Sequence, residues 1–186
     1  MSKRMRRLRG GLFSLELDEF EAGLMRRLVG ELLELLAEGD PQGGRDVELD
    51  DPLSELAVGP ANPPDDPVLA RLFPDAYRDD PEAAGEFRHY TEVDLRADKR
   101  ANARTVLRTL DERPANGRRI ELDGAAARAW LLCLNDLRLA LGTRLDVTED
   151  YEELVDSLDE DDPRRPALGL YEWLTALQDT LVRALA

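Results

Sequence analysis

Apolar residues recur every three or four positions over four long stretches of the chain, and each recurrence predicts an amphipathic helix. The first stretch follows Asp18, a good N-cap residue, with Glu21 at the capping-box position three residues later. Its stripe predicts a helix to about residue 38, where a Gly-Asp-Pro sequence ends it; the stripe is Leu24, Leu28, Leu32 and Leu35.

The longest stretch predicts a helix from Pro81 to about Arg113, because Asp80-Pro81 suits a helix start and Pro114 cannot continue one. On a helical wheel of about 100° per residue, one stripe contains most of the apolar residues and predicts the core face. Its members are Ala84, Phe87, Thr91, Leu95, Asn102 and Val106. The roughly opposite side is predicted to face solvent and carries His89, Arg96, Arg100 and Arg104.

Two carboxylates, Asp94 and Asp98, fall beside or inside the predicted core stripe. They are one helical turn apart and repel each other unless a cation lies between them. Burying both without a partner would cost several kcal/mol. We therefore expect an arginine from another helix at this point, and predict a polar core network of Asp94, Asp98, Asn102, Arg138 and Arg144.

The remaining patterns define the fold class. Residues 12–17 and 118–122 alternate like short strands, and each run ends in an aspartate that suits a helix N-cap. Two further helices are predicted over 124–141 and 167–186, with shorter ones near 67–72 and within the acidic run 146–162. We predict a mainly α, single-domain bundle of five to six helices over residues 1–186, with a two-stranded ribbon formed by 12–17 and 118–122. Residues 39–66 are rich in Gly, Pro and Asp and predict a surface connection.

The net charge of the chain argues against nucleic acid and anionic membranes as partners. The formal net charge is −15, so the whole molecule repels nucleic acid and anionic membrane. A basic arm at residues 1–11 is the exception; it is typical of a terminal tail or edge strand, or of an arm that contacts an anion or nucleic acid. The apolar runs are too short to span a membrane, and no apolar signal core follows the arm. These features favour a cytoplasmic protein.

No catalytic constellation stands out in the sequence. The chain has one histidine, His89, and lacks phosphate-binding, nucleophile-elbow and zinc-protease motifs. Its one cysteine, Cys133, excludes an internal disulfide and a thiolate-rich zinc site. Because Cys133 lies in an apolar run, a packed, inert thiol is favoured over a redox-responsive one. We predict a protein that is not an enzyme and that has no cofactor and no dedicated metal site.

Two binding hypotheses follow from the long helix. The basic side, with Arg96, Arg100, Arg104 and His89, suits an acidic peptide or a phosphate and is the candidate partner-binding surface. The alternative for these arginines is pairing within the chain, with the acidic runs at 39–66 and 146–162. The alternative function is a helical metal- or small-ligand-binding protein that uses Asp94, Asp98 and Asn102.

Three segments carry a family resemblance: RLFPDAYRDDPEAAGEFRHYTEVDLRADKRANA, LNDLRLALGTRLDVTED and YEWLTALQDTLVRAL. They resemble an actinobacterial family catalogued mostly as a domain of unknown function, one branch of which is described as the actinomycete oxidative stress regulator. The resemblance covers nearly the whole chain and is weakest at residues 39–66. It implies a cytoplasmic, non-catalytic regulator that contacts other proteins, in stress-linked transcription or in proteostasis.

The chain departs from the redox branch of that family in its cysteines. Sensing by an internal disulfide requires two cysteines, whereas this chain has only Cys133. Either an intermolecular disulfide forms here, or the chain does not sense oxidants at all. The apolar setting of Cys133 favours the second interpretation.

Overall fold

The computed structural model describes residues 5–38, 64–77, 79–114, 117–148, 150–159 and 161–186. Over these residues, six α-helices and a three-stranded antiparallel sheet confirm the predicted mainly α class. The strands are β1 (Met5–Arg7), β2 (Phe13–Glu16) and β3 (Arg119–Leu122). The helices are α1 (Glu19–Ala37), α2 (Pro67–Leu72), α3 (Pro81–Asp111), α4 (Gly124–Arg144), α5 (Tyr151–Ser157) and α6 (Arg165–Leu185).

The sheet extends the predicted two-stranded ribbon by one strand. β2 pairs with β3 as expected, and β1 adds to the other edge of β2 from within the basic arm. Met5, Leu15 and Ile120 lie side by side across the three strands, and all three are buried. The turn between β1 and β2 requires Gly10 and Gly11, whose φ angles of 81° and 79° lie in the left-handed region. Of the basic arm, residues 1–4 lie outside the described part.

Aspartate caps start four of the helices. Asp18 accepts a 2.8 Å hydrogen bond from the Glu21 amide, while the Glu21 carboxylate accepts a 3.0 Å bond from the Asp18 amide. This is the predicted capping box, which satisfies two backbone donors that the helix cannot satisfy itself. Asp66, Asp80 and Asp123 cap α2, α3 and α4 with the same side-chain-to-amide geometry. The predicted helix starts are therefore confirmed at each of these positions.

The core is built around α4, which packs against α2, α3 and α6. Trp130 is fully buried at its centre, and its indole nitrogen donates a 2.9 Å hydrogen bond to the Thr109 hydroxyl of α3. Leucines of α6 close the other side of α4, with Leu174, Leu177 and Leu181 all buried. The C-terminal half of α3 contributes Ala103, Val106 and Leu110 to the same core.

The structure bears on two further predictions, the surface connection and the lack of a membrane span. The surface connection predicted over 39–66 falls mostly on residues 39–63, which lie outside the described part. Within the described part, no helix is long and apolar enough to cross a membrane.

Candidate functional site

Three charged side chains line the inward face of the N-terminal half of α3. Arg88, Glu92 and Arg96 follow one another at four-residue spacing, and all three are buried. The guanidinium of Arg96 donates a 2.5 Å hydrogen bond to Glu92, whose other oxygen lies 3.7 Å from Arg88. Arg88 also donates to the Phe73 carbonyl oxygen at 3.1 Å and forms an ion pair with Asp75. We call these three residues the Arg88–Glu92–Arg96 ladder.

The ladder joins α3 to the end of α1. One Arg96 nitrogen donates to the carbonyl oxygens of Leu36 at 2.9 Å and Glu38 at 3.2 Å. Arg100 donates a 2.5 Å bond to the same Leu36 oxygen. The Leu36 carbonyl belongs to the last turn of α1, which has no helical partner for it and carries the negative end of the helix dipole, and Glu38 is the C-cap residue just beyond. The Phe73 ring covers the Arg96 guanidinium at 4.4 Å from its centroid.

The structure therefore corrects the predicted partner-binding surface. Arg96 is only 1% exposed and binds the chain's own backbone, so it is unavailable to a partner. Arg100 is half-buried in the same helix cap, and His89 is half-buried against the Tyr90 ring at 5.2 Å between centroids. Of the predicted basic side, only Arg104 is exposed. Among the described residues, Arg96 and Arg100 pair within the chain, with Glu92 and the end of α1. Pairing with the acidic run at 39–66 falls mostly outside the described residues.

The apolar stripe predicted as the core face of α3 is only partly buried: Ala84 and Val106 lie inside, whereas Phe87 and Leu95 face outward. Phe87 and Leu95 are 45% and 40% exposed, and the nearby Tyr90 and Tyr77 are 76% and 50% exposed. Tyr77 and Phe87 meet edge to face, with 6.0 Å between ring centroids. Asp94 and Asp98 lie on this same face of the helix and are exposed. We call Tyr77, Phe87, Tyr90, Asp94, Leu95 and Asp98 the outer patch.

A small hollow of about 110 Å³ opens beside the outer patch. Phe73, Pro74 and Ala76 form one wall, and Phe87, Thr91 and Leu95 of α3 form the other. The buried Arg88 and Glu92 also line it, and the hydrogen bond from Arg88 of α3 to the Phe73 carbonyl joins the two walls. A hollow of this size suits one side chain better than a cofactor.

The predicted polar core network does not form. Asp94 and Asp98 are exposed, and Asn102 is half-buried. Arg138 instead hydrogen-bonds to α6, donating to Thr175 at 2.9 Å, to Gln178, and to Tyr171 at 3.3 Å. Arg144 is exposed at the end of α4. The prediction was wrong because α3 is rotated so that the ladder, rather than the Asp94 side, faces the core.

Besides the ladder, a buried ion pair joins Lys99 of α3 to Asp136 of α4. The Lys99 nitrogen donates a 2.6 Å hydrogen bond to the Asp136 carboxylate, and both side chains are largely buried. Sequence reasoning missed this pair, although an aspartate inside the apolar run of α4 was a usable signal. It missed the ladder too, although its Arg-Glu-Arg alternation at four-residue spacing was visible.

Cys133 lies close to this pair and is buried. Burial raises the pKa of the Cys133 thiol to about 12, and the charge of Asp136 adds to that rise. A thiol in this state has little thiolate character, which is what nucleophilic and redox reactions require. The structure thus gives Cys133 the setting of a packed thiol.

A larger apolar groove of about 340 Å³ runs between α1, α4 and α6, with Leu28, Leu32, Leu137 and Leu170 among its lining residues. The residues of the ligand-binding alternative, Asp94, Asp98 and Asn102, line neither this groove nor the hollow. Among the described residues, no three acidic, histidine or cysteine side chains converge as a metal site.

Comparison with known proteins gives a consistent result along the chain. A family model described as Domain of unknown function (DUF2017) matches residues 2–185. The Oxidative stress regulator AosR of Mycobacterium tuberculosis (strain ATCC 25618 / H37Rv) is 35% identical over 196 residues, covering 98% of this chain and 86% of that protein. The Putative oxidative stress regulator AosR of Mycobacterium leprae (strain TN) is 36% identical over 202 residues, covering 98% of this chain and 87% of that protein. No solved structure matches the chain.

Proposed function

We propose, from the premise that this chain belongs to the DUF2017 family, that it is a non-catalytic cytoplasmic regulator that binds another protein through the outer patch. The relatives named oxidative stress regulators support a regulatory role. Stress-linked transcription or proteostasis is the setting that we propose for it. The proposed contact surface consists of Tyr77 and outward-facing side chains of α3.

The exposure of the outer patch is the observation that carries this proposal. Single exposed apolar residues are ordinary, and this chain has such residues in Phe20, Leu132 and Val182. The outer patch differs because Tyr77, Phe87, Tyr90 and Leu95 are grouped. Clustered aromatic and aliphatic side chains of this kind mark protein-binding surfaces more often than solvent faces.

The hollow gives the outer patch the form of a binding site. Residues that contribute most to an interface are apolar or aromatic side chains that fill a preformed pocket on the partner. Here the hollow lies between Phe73 and Leu95, and the buried ladder fixes its walls before any partner arrives. A preformed pocket lowers the entropy cost of association. We therefore propose that a partner places one apolar side chain in the hollow.

We further propose that oxidants do not act directly on this chain. Its single cysteine is buried and its pKa is raised, so neither an internal disulfide nor a reactive thiolate is at hand. Regulation would then depend on whether the partner is bound, with any oxidant signal entering through the partner.

Site-specific photo-crosslinking in the native host cell tests the proposed surface. A photoreactive residue in place of Tyr90 reports on the outer patch, and one in place of Phe20, which is 77% exposed on α1, serves as the matched control. We expect a discrete crosslinked protein from position 90 that is absent from position 20. That protein is then purified, and its affinity is measured by titration calorimetry.

The variants Phe87→Ser and Leu95→Ser should each weaken that affinity by about tenfold or more, as loss of a central contact residue does. Phe20→Ser should leave the affinity unchanged. Because all three side chains are exposed, none of the variants should lower the melting temperature by more than a few degrees. Equal crosslinking from both positions, or full affinity in Phe87→Ser and Leu95→Ser, would overturn the proposed surface.

A further inference from the structure

We infer that the partner is a basic amphipathic segment, whose apolar side chain fills the hollow and whose arginine or lysine lies between Asp94 and Asp98. This inference rests on the proposed function and specifies the chemistry of the partner at the same surface. It follows from a contrast between the two faces of α3.

On the inner face of α3, the buried Glu92 carboxylate has an arginine on either side. Glu92 lies one turn from Arg88 and one turn from Arg96, so each charge of the ladder has an opposite charge next to it. On its outer face, Asp94 and Asp98 occupy the same four-residue spacing, and the residues one turn before and after them, Tyr90 and Asn102, carry no positive charge. Among the described residues, no lysine, arginine or histidine forms an ion pair with either carboxylate.

The two carboxylates are therefore a place where a cation from outside would lie favourably. An arginine of a partner would relieve the repulsion between Asp94 and Asp98 and form charge-assisted hydrogen bonds to both. The contact would be partly covered by the partner itself, which strengthens it relative to an open surface pair. The surrounding surface has the same sign, because Asp79, Glu82 and Glu86 near the start of α3 are also exposed.

The distances along the helix also fit a single segment of a partner. The hollow is centred near Thr91 and the carboxylate pair near residue 96, which places them roughly 8 Å apart at 1.5 Å per residue. That separation is about one and a half turns of a partner helix. An amphipathic segment can therefore present an apolar anchor and a cation to the two positions at once.

The same charges argue against the other occupants of this surface. A second copy of the chain docked by a two-fold axis through the outer patch would place Asp94 and Asp98 against their own equivalents. Nucleic acid would meet the same acidic surface on a molecule of net charge −15. A basic protein segment is attracted both by the local pair and by the field of the whole molecule.

A display selection on the full-length chain tests the inference. A library of random helical peptides of about 16 residues, the length that fills a groove of this kind, is selected on the immobilised wild-type chain. It is counter-selected on the double variant Phe87→Ser/Leu95→Ser, so that peptides binding elsewhere are removed. The surviving peptides are sequenced and their affinities are measured by fluorescence anisotropy.

We expect the survivors to be enriched in arginine and lysine beside an apolar face. Asp94→Asn/Asp98→Asn should weaken their binding by about tenfold or more. The control Asp156→Asn/Asp161→Asn changes the net charge by the same amount at two exposed positions elsewhere, and should change affinity less than about twofold.

Survivors that lack basic enrichment, or that bind Asp94→Asn/Asp98→Asn as well as the wild type, would overturn the inference while leaving the outer patch as a binding surface. Equal losses in the two double variants would mean that overall charge, rather than the Asp94–Asp98 pair, attracts the peptide, which also overturns it. A selection that leaves no survivors would overturn the outer patch together with the inference.

Discussion

Arg96 of α3 donates a 2.9 Å hydrogen bond to the carbonyl oxygen of Leu36, in the last turn of α1. The guanidinium thereby stands in for the helical partner that this carbonyl lacks, and its charge complements the negative end of the α1 dipole. It makes this contact while 1% exposed, with Glu92 as its counter-charge and Phe73 over its face. One side chain therefore contacts the end of α1, the buried acid of α3 and, through Phe73, one wall of the hollow.

Removing the Arg96 side chain should destabilise the folded chain. We predict that Arg96→Met lowers the free energy of unfolding by about 3–5 kcal/mol, because it leaves the buried Glu92 carboxylate without its closest counter-charge. The measurement is urea unfolding followed by circular dichroism. Arg104→Met, at an exposed position of the same helix, should change the free energy of unfolding by less than about 0.5 kcal/mol.

A double variant separates the effect of the unpaired Glu92 charge from the effect of the lost hydrogen bonds to α1. In Glu92→Gln/Arg96→Met the unpaired buried charge is gone, so we expect part of the stability to return relative to Arg96→Met alone. The hydrogen bonds to Leu36 and Glu38 stay lost in both variants. Equal stability of Arg96→Met and the wild type would contradict a buried position for Arg96.

The Trp130–Thr109 hydrogen bond at the centre of the core gives a second prediction. Thr109→Val keeps the shape of the side chain but removes the hydroxyl that accepts the indole N–H at 2.9 Å. We expect a loss of about 1–3 kcal/mol, because the buried indole donor is left unsatisfied. Thermal unfolding followed by tryptophan fluorescence measures it, with the melting temperature falling by about 2–4 °C per kcal/mol.

Thr105→Val is the matched control for that substitution. Its hydroxyl donates to the carbonyl oxygen of Ala101, one turn earlier on the same helix, at a half-buried position. We expect a change within about 0.5 kcal/mol. Similar losses in both variants would mean that stability depends on the hydroxyl-to-backbone bond that both threonines make on α3, and not on the indole partner of Thr109.

The thiol of Cys133 should be close to inert. With its pKa raised to about 12, the thiolate fraction at pH 8 is about 10⁻⁴, against roughly a quarter for an ordinary cysteine. We predict that it reacts with a disulfide reagent at least about 10³ times more slowly than an exposed cysteine does. The comparison is the cysteine introduced by Ala125→Cys, at an exposed position of α4, in a Cys133→Ala background. Comparable rates would show that Cys133 is accessible and would reopen direct oxidant sensing.

Much of the fold was predictable because it depends on local chemistry. The capping aspartates Asp18 and Asp123 satisfy backbone donors within three residues, so their effect can be read from a short window of sequence. The pairing of β2 with β3 followed from two short strands that cannot stand alone. The third strand was less visible, because residues 5–7 contain one apolar residue among arginines.

The rotation of α3 was not predictable from the same rules. A helical wheel ranks Phe87 and Leu95 as core and Arg96 as surface, because it scores each side chain alone. In the ladder, each charged side chain lies next to one of opposite charge. The three can therefore be buried together, although burying any one of them alone would be unfavourable. The C-terminal half of the helix held the better signal, since Ala103, Val106 and Leu110 define the true inner face. The residue left outside by this rotation, Phe87, became part of the candidate site.

Because Asp136 of the Lys99–Asp136 pair titrates differently in the folded and unfolded chains, the free energy of unfolding should depend on pH. Burial raises the pKa of Asp136 above 3.8, and the hydrogen bond and charge of Lys99 offset part of that rise. The folded chain therefore holds the Asp136 proton to higher pH than the unfolded chain does. The contribution of Asp136 to stability is fully present below pH 3.8 and is lost as the pH rises through the folded-state pKa.

Asp136→Asn removes this titration while leaving most of the shape of the side chain. We predict that the free energy of unfolding of the wild type, minus that of Asp136→Asn, decreases as the pH rises from about 3.8 through the folded-state pKa. Urea unfolding of both chains across that range measures the difference, and the subtraction cancels the other carboxylates. Lys99→Met should move the decrease to higher pH, because it removes the two effects that lower the pKa of Asp136. A difference that grows with pH would mean that the 2.6 Å bond from Lys99 outweighs burial.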